Sequence, residues 1–239
     1  MNKKILIGTG TYNEANNIKT FLNSILKIKI NLDILIVDDS SPDGTSIIIN
    51  DFKKKNKNIF LISRENKQGL DTAHKLIYNH AIKNNYDYLI TMDADMSHDP
   101  NDIIRFLDEI NYYDCVVGSR YIDGGQIQLR GYRYLLSKYG NLFIKKFLNL
   151  DLSEYTTSFR CFNLKKLDNF NFNQVKGKGY SFFMHSIYII LNLNFSVKEI
   201  PIIFYERNEG VSKIPKIELL RTLILVFLLK FKNYKKYIV

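Results

Sequence analysis

The sequence predicts an α/β fold in which a mostly parallel central sheet carries helices on both faces. Two observations lead there. Apolar runs and amphipathic stretches alternate through the first half of the chain, joined by short links, which is the pattern of strands paired through helical crossovers. Polar clusters fall where three of the apolar runs end, and ligands of such sheets bind at the carboxyl ends of the strands. With 239 residues the chain can build one substantial domain with a modest extension.

The elements follow in order. Lys4 to Thr9 reads as a strand, and Glu14 to Lys27 as a helix because Ile18, Phe21, Leu22, Ile25 and Leu26 recur at helical spacing. Leu32 to Val37 is a second strand, Asp43 to Lys55 a second helix and Asn58 to Ser63 a third strand. Gly69 to Ile82 is predicted helical and Tyr86 to Met92 extended. Pro100 suits the first turn of a helix running to Ile110, and Cys115 to Gly118 is a fifth strand. The second half is less regular. Helices are predicted over Tyr132 to Leu148, Tyr180 to Leu191 and Ile217 to Phe231, and short strands over Phe159 to Phe162 and Ser196 to Pro201. With no internal repeat and no Pro/Gly/Ser-rich linker, residues 1–214 read as one domain and residues 215–239 as an appended apolar helix with a basic tail.

Composition narrows the function. An apolar fraction of 46% with 24% charged residues is that of a globular chain and excludes a disordered one. A net charge of +10 favours an anionic partner, whether nucleic acid, anionic lipid or a phosphorylated substrate. Cys115 and Cys161 lie far apart and match no metal or redox spacing, so both are expected reduced and buried, which suits the cytoplasm. No leader is expected at the N-terminus. The longest apolar run, Leu223 to Leu229, is far short of a membrane span.

Asp93 and Asp95 flank a single small residue at a predicted strand end. Two carboxylates this close repel one another unless a cation or donors neutralise them. Hard divalent cations take oxygen ligands, often one or two carboxylates completed by phosphate oxygens. The competing reading is an acidic turn that caps the next helix. Asp38-Asp39 closes the second strand, where a carboxylate accepts from ribose hydroxyls or a base N–H, or else forms an Asx-turn into Ser41-Pro42-Asp43-Gly44. Glu14 likewise could serve only as a first-turn acid facing the helix dipole.

Taken together, Thr11-Tyr12-Asn13-Glu14, Val37-Asp38-Asp39-Ser40-Ser41-Pro42-Asp43-Gly44-Thr45 and Met92-Asp93-Ala94-Asp95-Met96-Ser97-His98-Asp99-Pro100 resemble the inverting GT-A glycosyltransferases, a nucleotide-sugar-binding fold. Within them the dolichol-phosphate mannosyltransferases and other polyprenyl-phosphate sugar transferases are the most similar. The resemblance continues in Gly118-Ser119-Arg120-Tyr121, Gly124-Gly125, Thr156 to Arg160, Lys178-Gly179-Tyr180, Glu199-Ile200-Pro201-Ile202, Arg207, Gly210, Ser212 and Lys213. Each motif alone is weak, but the ordered set spans about residues 4 to 215.

The resemblance implies transfer of a hexose, mannose or glucose, from a GDP- or UDP-sugar to polyprenyl phosphate with inversion, assisted by Mg2+ or Mn2+. It places Gly10, Tyr12, Glu14, Val37 and Asp39 around the donor nucleoside. Asp93, Ala94 and Asp95 would meet the diphosphate, with Asp93, Asp95 and Ser97 as metal ligands. Arg120, Arg207 and Lys213 would contact phosphates, and Asp93, Asp95 and Arg120 would form the catalytic group. Arg133, Arg160 and Ser158 are expected against the acceptor phosphate, because guanidinium groups bind phosphate oxygens in pairs. The protein is expected peripheral on the inner face of a membrane.

The chain also departs from that pattern. Gly10 stands where Pro is usual, Gly69-Leu70-Asp71 replaces Gly-Leu-Gly, and the chain has no Trp. Glu154 stands in place of Asp, and Phe182-Phe183-Met184-His185 in place of Phe-Gln-x-Glu. His185 is either a structural helix residue or an acceptor contact. Transfer to a sugar hydroxyl would need a general base, for which His185 and Glu154 are the candidates. Nucleotidyl transfer lacks a Gly-rich phosphate loop here, and a nucleic-acid-binding module leaves the strand-end carboxylates unexplained. In the last helix Leu219, Leu220, Leu223, Ile224, Phe227, Leu228 and Phe231 recur at helical spacing among Lys216, Arg221, Lys230, Lys232, Lys235 and Lys236. That pattern suits either an interfacial helix on an anionic membrane or a core or dimer helix with a solvated basic tail.

Overall fold

The computed structural model describes residues 3–128, 131–167, 170–206 and 217–231. Its strands are β1 (Ile5–Thr11), β2 (Asp33–Asp38), β3 (Ile59–Ser63), β4 (Tyr88–Thr91), β5 (Cys115–Ser119), β6 (Gln126–Ile127), β7 (Arg160–Asn163), β8 (Val197–Pro201) and β9 (Ile203–Phe204). Its helices are α1 (Ala15–Leu26), α2 (Thr45–Lys55), α3 (Leu70–Lys83), α4 (Asp102–Glu109), α5 (Tyr132–Leu148), α6 (Tyr180–Asn192) and α7 (Ile217–Phe231).

Seven strands form one sheet in the order β3-β2-β1-β4-β7-β5-β8. All pairings are parallel except those of β7, which runs antiparallel between β4 and β5. The expected mostly parallel sheet is therefore present, with one reversed strand at its heart. The short strands β6 and β9 pair separately and were not expected from the sequence.

The two faces of the sheet build two cores. Leu6, Leu35 and Val37 point to one side, where they meet α3 and α6, while Ile5, Ile7, Ile34 and Ile36 point to the other, against α1 and α4. Period-two alternation puts successive residues on opposite faces, and both sets are apolar because helices cover both. Gly8 permits the close approach of α3: a Cβ there would lie 2.2 Å from Ile77 Cγ2. Burying the β1 side chains fixes which residues follow the strand, and so where the polar cluster Thr11 to Glu14 emerges. Cys115 and Cys161 are buried and free, as expected.

The register brings the functional segments to one edge. Thr11 lies opposite Asp38, Thr91 opposite Arg160, Val117 opposite Arg160, and Ser119 opposite Pro201. The ends of β1, β2, β4 and β5 thus gather with the start of β7.

Candidate active site

Three loops at this edge carry non-glycine residues in the left-handed region: Asn13 (φ 57°), Ser40 (φ 57°) and Met96 (φ 63°), after β1, β2 and β4 respectively. Such backbone costs on the order of 1 kcal/mol or more per residue and persists where surrounding contacts hold it. Here the contacts are dense. Thr11 Oγ1 donates to Asp38 Oδ1 at 2.8 Å, Asn13 N to Ser41 Oγ at 3.0 Å, Glu14 N to Thr45 Oγ1 at 2.9 Å and Ala15 N to Asp43 Oδ2 at 2.9 Å. The loops after β1 and β2 are therefore one stitched unit.

The two adjacent aspartates divide their roles. Asp38, fully buried, accepts from the Ser41 backbone and hydroxyl and from the Ser46 hydroxyl as well as from Thr11. It is the turn-forming residue. Asp39 reaches the other way: its Oδ2 accepts from Gly69 N at 3.0 Å, and its carboxylate pairs with Arg64. Arg64 follows β3 directly and also donates to Gly69 O at 3.1 Å. The sequence offers one signal for it, a cation at a strand end. Glu14 Oε2 accepts from Asn17 Nδ2 at 2.8 Å, a contact within the first turn of α1. Tyr12 is half-buried, with Lys67 Nζ 3.8 Å from its ring centroid.

The acidic loop after β4 is held from inside. Asp95 is buried and accepts from Ser97 N at 3.1 Å and from the Ser97 hydroxyl. Asp93 Oδ1 accepts from Ser158 Oγ at 2.7 Å, and Ser158 O in turn accepts from Thr91 Oγ1 at 2.6 Å. The Asp93 backbone N–H donates to His98 Nδ1 at 3.3 Å. His98 lies between Phe159 and Phe204, with ring centroids 4.9 and 5.4 Å away. Burial pushes its pKa down to about 4, with Asp95 pulling the other way, so the ring is neutral and Nδ1 accepts. His98 is a supporting residue to which sequence reasoning assigned no role.

Arg120 is also buried. Its Nε and one terminal nitrogen donate to the two oxygens of Glu154 at 2.6 and 2.8 Å, and that terminal nitrogen reaches Thr156 Oγ1 at 3.1 Å. Burial works against both charges, but the mutual attraction and hydrogen bonds leave the Arg120 pKa raised and that of Glu154 lowered, so the pair stays ionised. Glu199 supports it from behind by accepting from the backbone N–H groups of Ser153 and Glu154, each at 2.9 Å.

Several sequence-predicted residues stand elsewhere than expected. Arg160, assigned by the sequence to the acceptor phosphate, is fully buried and donates to Phe183 O, Ser186 Oγ and Tyr155 O at 2.8 to 2.9 Å. Its place on a central strand turns it into the protein, where it ties β7 to α6. Ser158, assigned to the same phosphate, instead orients Asp93. Ser97, expected as a metal ligand, is fully buried with its hydroxyl on Asp95. Val37 and Ala94 contribute side chains to the core, leaving only backbone for a ligand. Gly10 is half-buried, and a Cβ there would come within 3.1 Å of Ala73 Cβ on α3. His185 is buried, accepts at Nδ1 from the Lys176 and Gly177 backbone N–H groups, and is pushed by burial to a pKa of about 4. It is a structural residue of α6. The side chain of Arg133 and all of Arg207 and Lys213 lie outside the described residues, as does the expected domain boundary at 214/215.

The acidic loop suits a hard divalent cation. Asp93 and Asp95 present carboxylates whose positions are set by serine hydroxyls, and preorganised oxygen ligands are what such ions take. Among the described residues no group of three or more His, Cys, Asp or Glu could hold a metal. Phosphate oxygens and water would complete the shell, the usual manner of binding for Mg2+-like ions.

Comparison with known proteins agrees with this architecture. The family model described as "Glycosyl transferase family 2" matches residues 7–170. Over 214 residues the chain is 32% identical to a polyprenol monophosphomannose synthase of Mycolicibacterium smegmatis, covering 88% of this chain and 81% of that protein. Over 211 residues it is 30% identical to an undecaprenyl-phosphate mannosyltransferase of Micrococcus luteus, covering 88% and 87%. Among solved structures, a Pyrobaculum calidifontis mannosyltransferase in complex with GDP-Man and Mn2+ superposes with a TM-score of 0.61 at 16% identity, covering 98% of this chain and 67% of that one. A glucosyl-3-phosphoglycerate synthase of Mycobacterium tuberculosis with Mn2+, UDP and glucosyl-3-phosphoglycerate gives 0.65 at 13% identity, covering 95% and 79%. The fold is that of the GT-A glycosyltransferases.

Proposed function

The chain belongs to glycosyl transferase family 2, and we propose that it moves a hexose, mannose or glucose, from a GDP- or UDP-sugar to polyprenyl phosphate with inversion at the anomeric carbon. The observation that carries this reading is the acidic loop, where Asp93 and Asp95 are locked at the end of β4 by Ser158 and Ser97. The names of the two curated relatives, both polyprenyl-phosphate mannose transferases, support the acceptor and favour mannose.

In this reading an acceptor phosphate oxygen attacks the anomeric carbon as the bond from that carbon to the diphosphate oxygen breaks, and the nucleoside diphosphate leaves. A phosphate monoester has a second pKa of about 6 and is already ionised near neutral pH. It needs no protein base, which fits the two residues that might have served. Glu154 is fully buried against Arg120, and His185 is buried with its Nδ1 on backbone N–H groups. This disfavours a sugar-hydroxyl acceptor activated by either. A bound Mg2+ or Mn2+ would supply positive charge to the departing diphosphate. Asp93 and Asp95 would hold that ion, and Tyr12, Glu14 and Asp39 would line the nucleoside. Arg120 stands at the end of β5, where its fixed charge lowers the energy of developing negative charge. Residues 1–214 would be the catalytic domain. No described helix is long and apolar enough to cross a membrane. In this reading the lipid acceptor would be met at a membrane surface, with the segment from residue 215 as the attachment.

The test is to incubate the full chain with a panel of GDP- and UDP-sugars, polyprenyl phosphate and Mg2+ or Mn2+, and to extract the lipid phase. A labelled glycolipid is expected from at least one donor. Sugar transfer to soluble saccharides with none to the lipid would refute the acceptor.

A further inference from the structure

Successive backbone N–H groups just before α6 are taken by side chains. Those of Lys176 and Gly177 donate to His185 Nδ1 at 3.1 and 3.3 Å, that of Lys178 to Ser181 Oγ at 3.0 Å and that of Gly179 to Asp71 Oδ1 at 3.1 Å. The Ser181 hydroxyl donates back to Lys178 O at 2.7 Å. Ser181 and His185 belong to α6 itself, so they fasten the segment only to the helix it leads into. Asp71 belongs to the first turn of α3 and lies 108 residues away in the chain. Of these acceptors, it is the one that ties the segment to another part of the molecule.

The tie runs between two ends of the cleft. Gly69, just before α3, donates its N–H to Asp39 Oδ2 at 3.0 Å, and its carbonyl accepts from Arg64 at 3.1 Å and from the Thr72 hydroxyl at 2.8 Å. Thr72 Oγ1 accepts in turn from Arg64 at 2.5 Å. The turn that carries Asp71 is thus clamped by the Asp39–Arg64 pair. At the other end Gly179 is followed by Tyr180, the first residue of α6, which lies close enough to Arg120 for a charge on its ring to act on that guanidinium.

Asp71 and His185 are two of the positions at which this chain departs from the family pattern, and both act on this one segment. A glycine in place of Asp71 would have no side chain to offer Gly179. As a first-turn acid Asp71 also faces the dipole of α3. That role needs its charge, whereas the tie needs only an acceptor oxygen, which an amide keeps.

We propose that Asp71 is a positioning residue for sugar transfer: from a turn clamped to Asp39 and Arg64 it holds Gly179, and so sets Tyr180 beside Arg120. The hold on the segment stands on the hydrogen bonds, whereas its effect on turnover rests on the proposed function.

Two readouts on the full chain test this. In glycolipid formation from nucleotide-sugar and polyprenyl phosphate with Mn2+, Asp71→Ala should lower kcat about tenfold, because small misplacements at a reacting centre weigh heavily. Its donor KM should stay within about twofold of wild type, and Asp71→Asn should restore kcat. Equal losses in the Ala and Asn variants would assign Asp71 to the helix dipole and overturn the proposal, as would an unchanged kcat in Asp71→Ala. Tyr180→Ala should also lower kcat, and the double variant should lose no more than the worse single one, since Asp71 acts through Tyr180; losses that multiply would overturn it. The second readout needs no turnover. The chain has no Trp, so Tyr180→Trp places a single fluorophore on the segment. In that background Asp71→Ala should raise acrylamide quenching about twofold as the segment loosens, and Asp71→Asn should not; equal quenching in all three proteins overturns the hold. Should Asp71→Ala fail to fold, hydrogen exchange in the wild type decides: the Gly179 amide must be protected, and exchange at the rate of an unstructured peptide overturns the tie. Absence of glycolipid in the wild type refutes the proposed function and leaves the quenching and exchange results standing.

Discussion

Arg120 and Glu154 meet across 34 residues of sequence in a two-pronged ion pair with side chains 8% and 0% exposed. Removing one partner leaves an uncompensated buried charge, which costs about 3–5 kcal/mol. Arg120→Ala and Glu154→Ala should each lower stability by that order in urea denaturation. The double variant should lose less than the sum of the two, because neither charge remains. Additive losses would mean that the residues act independently.

Ser158 holds Asp93, the proposed metal ligand, so its loss should be felt in metal binding. Supporting hydrogen bonds to a ligand typically matter by about 10–100-fold in metal affinity. Ser158→Ala should weaken Mn2+ binding by that factor, measured calorimetrically with GDP or UDP present, while leaving the melting temperature near wild type. Asp95→Asn should abolish metal-dependent transfer. Unchanged Mn2+ affinity in Ser158→Ala would detach Asp93 from the ion.

The elements were legible where the chain repeats a local period. The helix Tyr132–Leu148 and the strands before each polar cluster emerge at or within a few residues of their predicted bounds because burial on the sheet leaves its mark on neighbouring positions. The place of β7 was not legible. Its four residues begin with Arg160, and its antiparallel insertion between β4 and β5 is a long-range pairing without a local signature. The paired two-residue strands Gln126–Ile127 and Ile203–Phe204 are too short to show a period. The same division runs through the site. Asp93 and Asp95 are recognisable from one loop, whereas the role of Ser158 depends on a partner 65 residues away. Arg160 reads as a partner of the acceptor phosphate, because guanidinium groups bind phosphate oxygens in pairs and arginines are seldom fully buried. Only the carbonyls of Tyr155 and Phe183 and the Ser186 hydroxyl explain its interior position.

Tyr12 sits under the Lys67 ammonium, 3.8 Å from its ring centroid, an interaction worth about 0.5–2 kcal/mol. If this ring lines the nucleoside, Tyr12→Ala should raise the donor KM several-fold with little change in kcat, since the contact is the same in ground and transition states. Tyr12→Phe should retain donor affinity. A fall in kcat at constant KM would place Tyr12 at the reacting centre instead.

Three buried histidines make the fold acid-sensitive in a defined window. Burial, together with nearby cations, pushes His74 down to about 3 and His185 to about 4; burial pushes His98 to about 4 against the pull of Asp95. An unfolded histidine titrates near 6.5. Between about pH 6.5 and pH 4 these three histidines bind more protons in the unfolded chain than in the native one, so their contribution to stability falls as pH falls. Above pH 7 all three rings are neutral in both states and contribute no slope. His185 offers the cleanest test, because its Nδ1 accepts from Lys176 and Gly177 and an amide oxygen can take over as acceptor. His185→Asn should be folded at pH 7.5, and between pH 6 and 4.5 its unfolding free energy should fall less steeply than that of the wild type, by up to about 1.4 kcal/mol per pH unit. Carboxylates titrate in both proteins and cancel in the difference. Parallel stability curves over that interval would show that His185 is already protonated in the native protein, and its role as a neutral acceptor would fall.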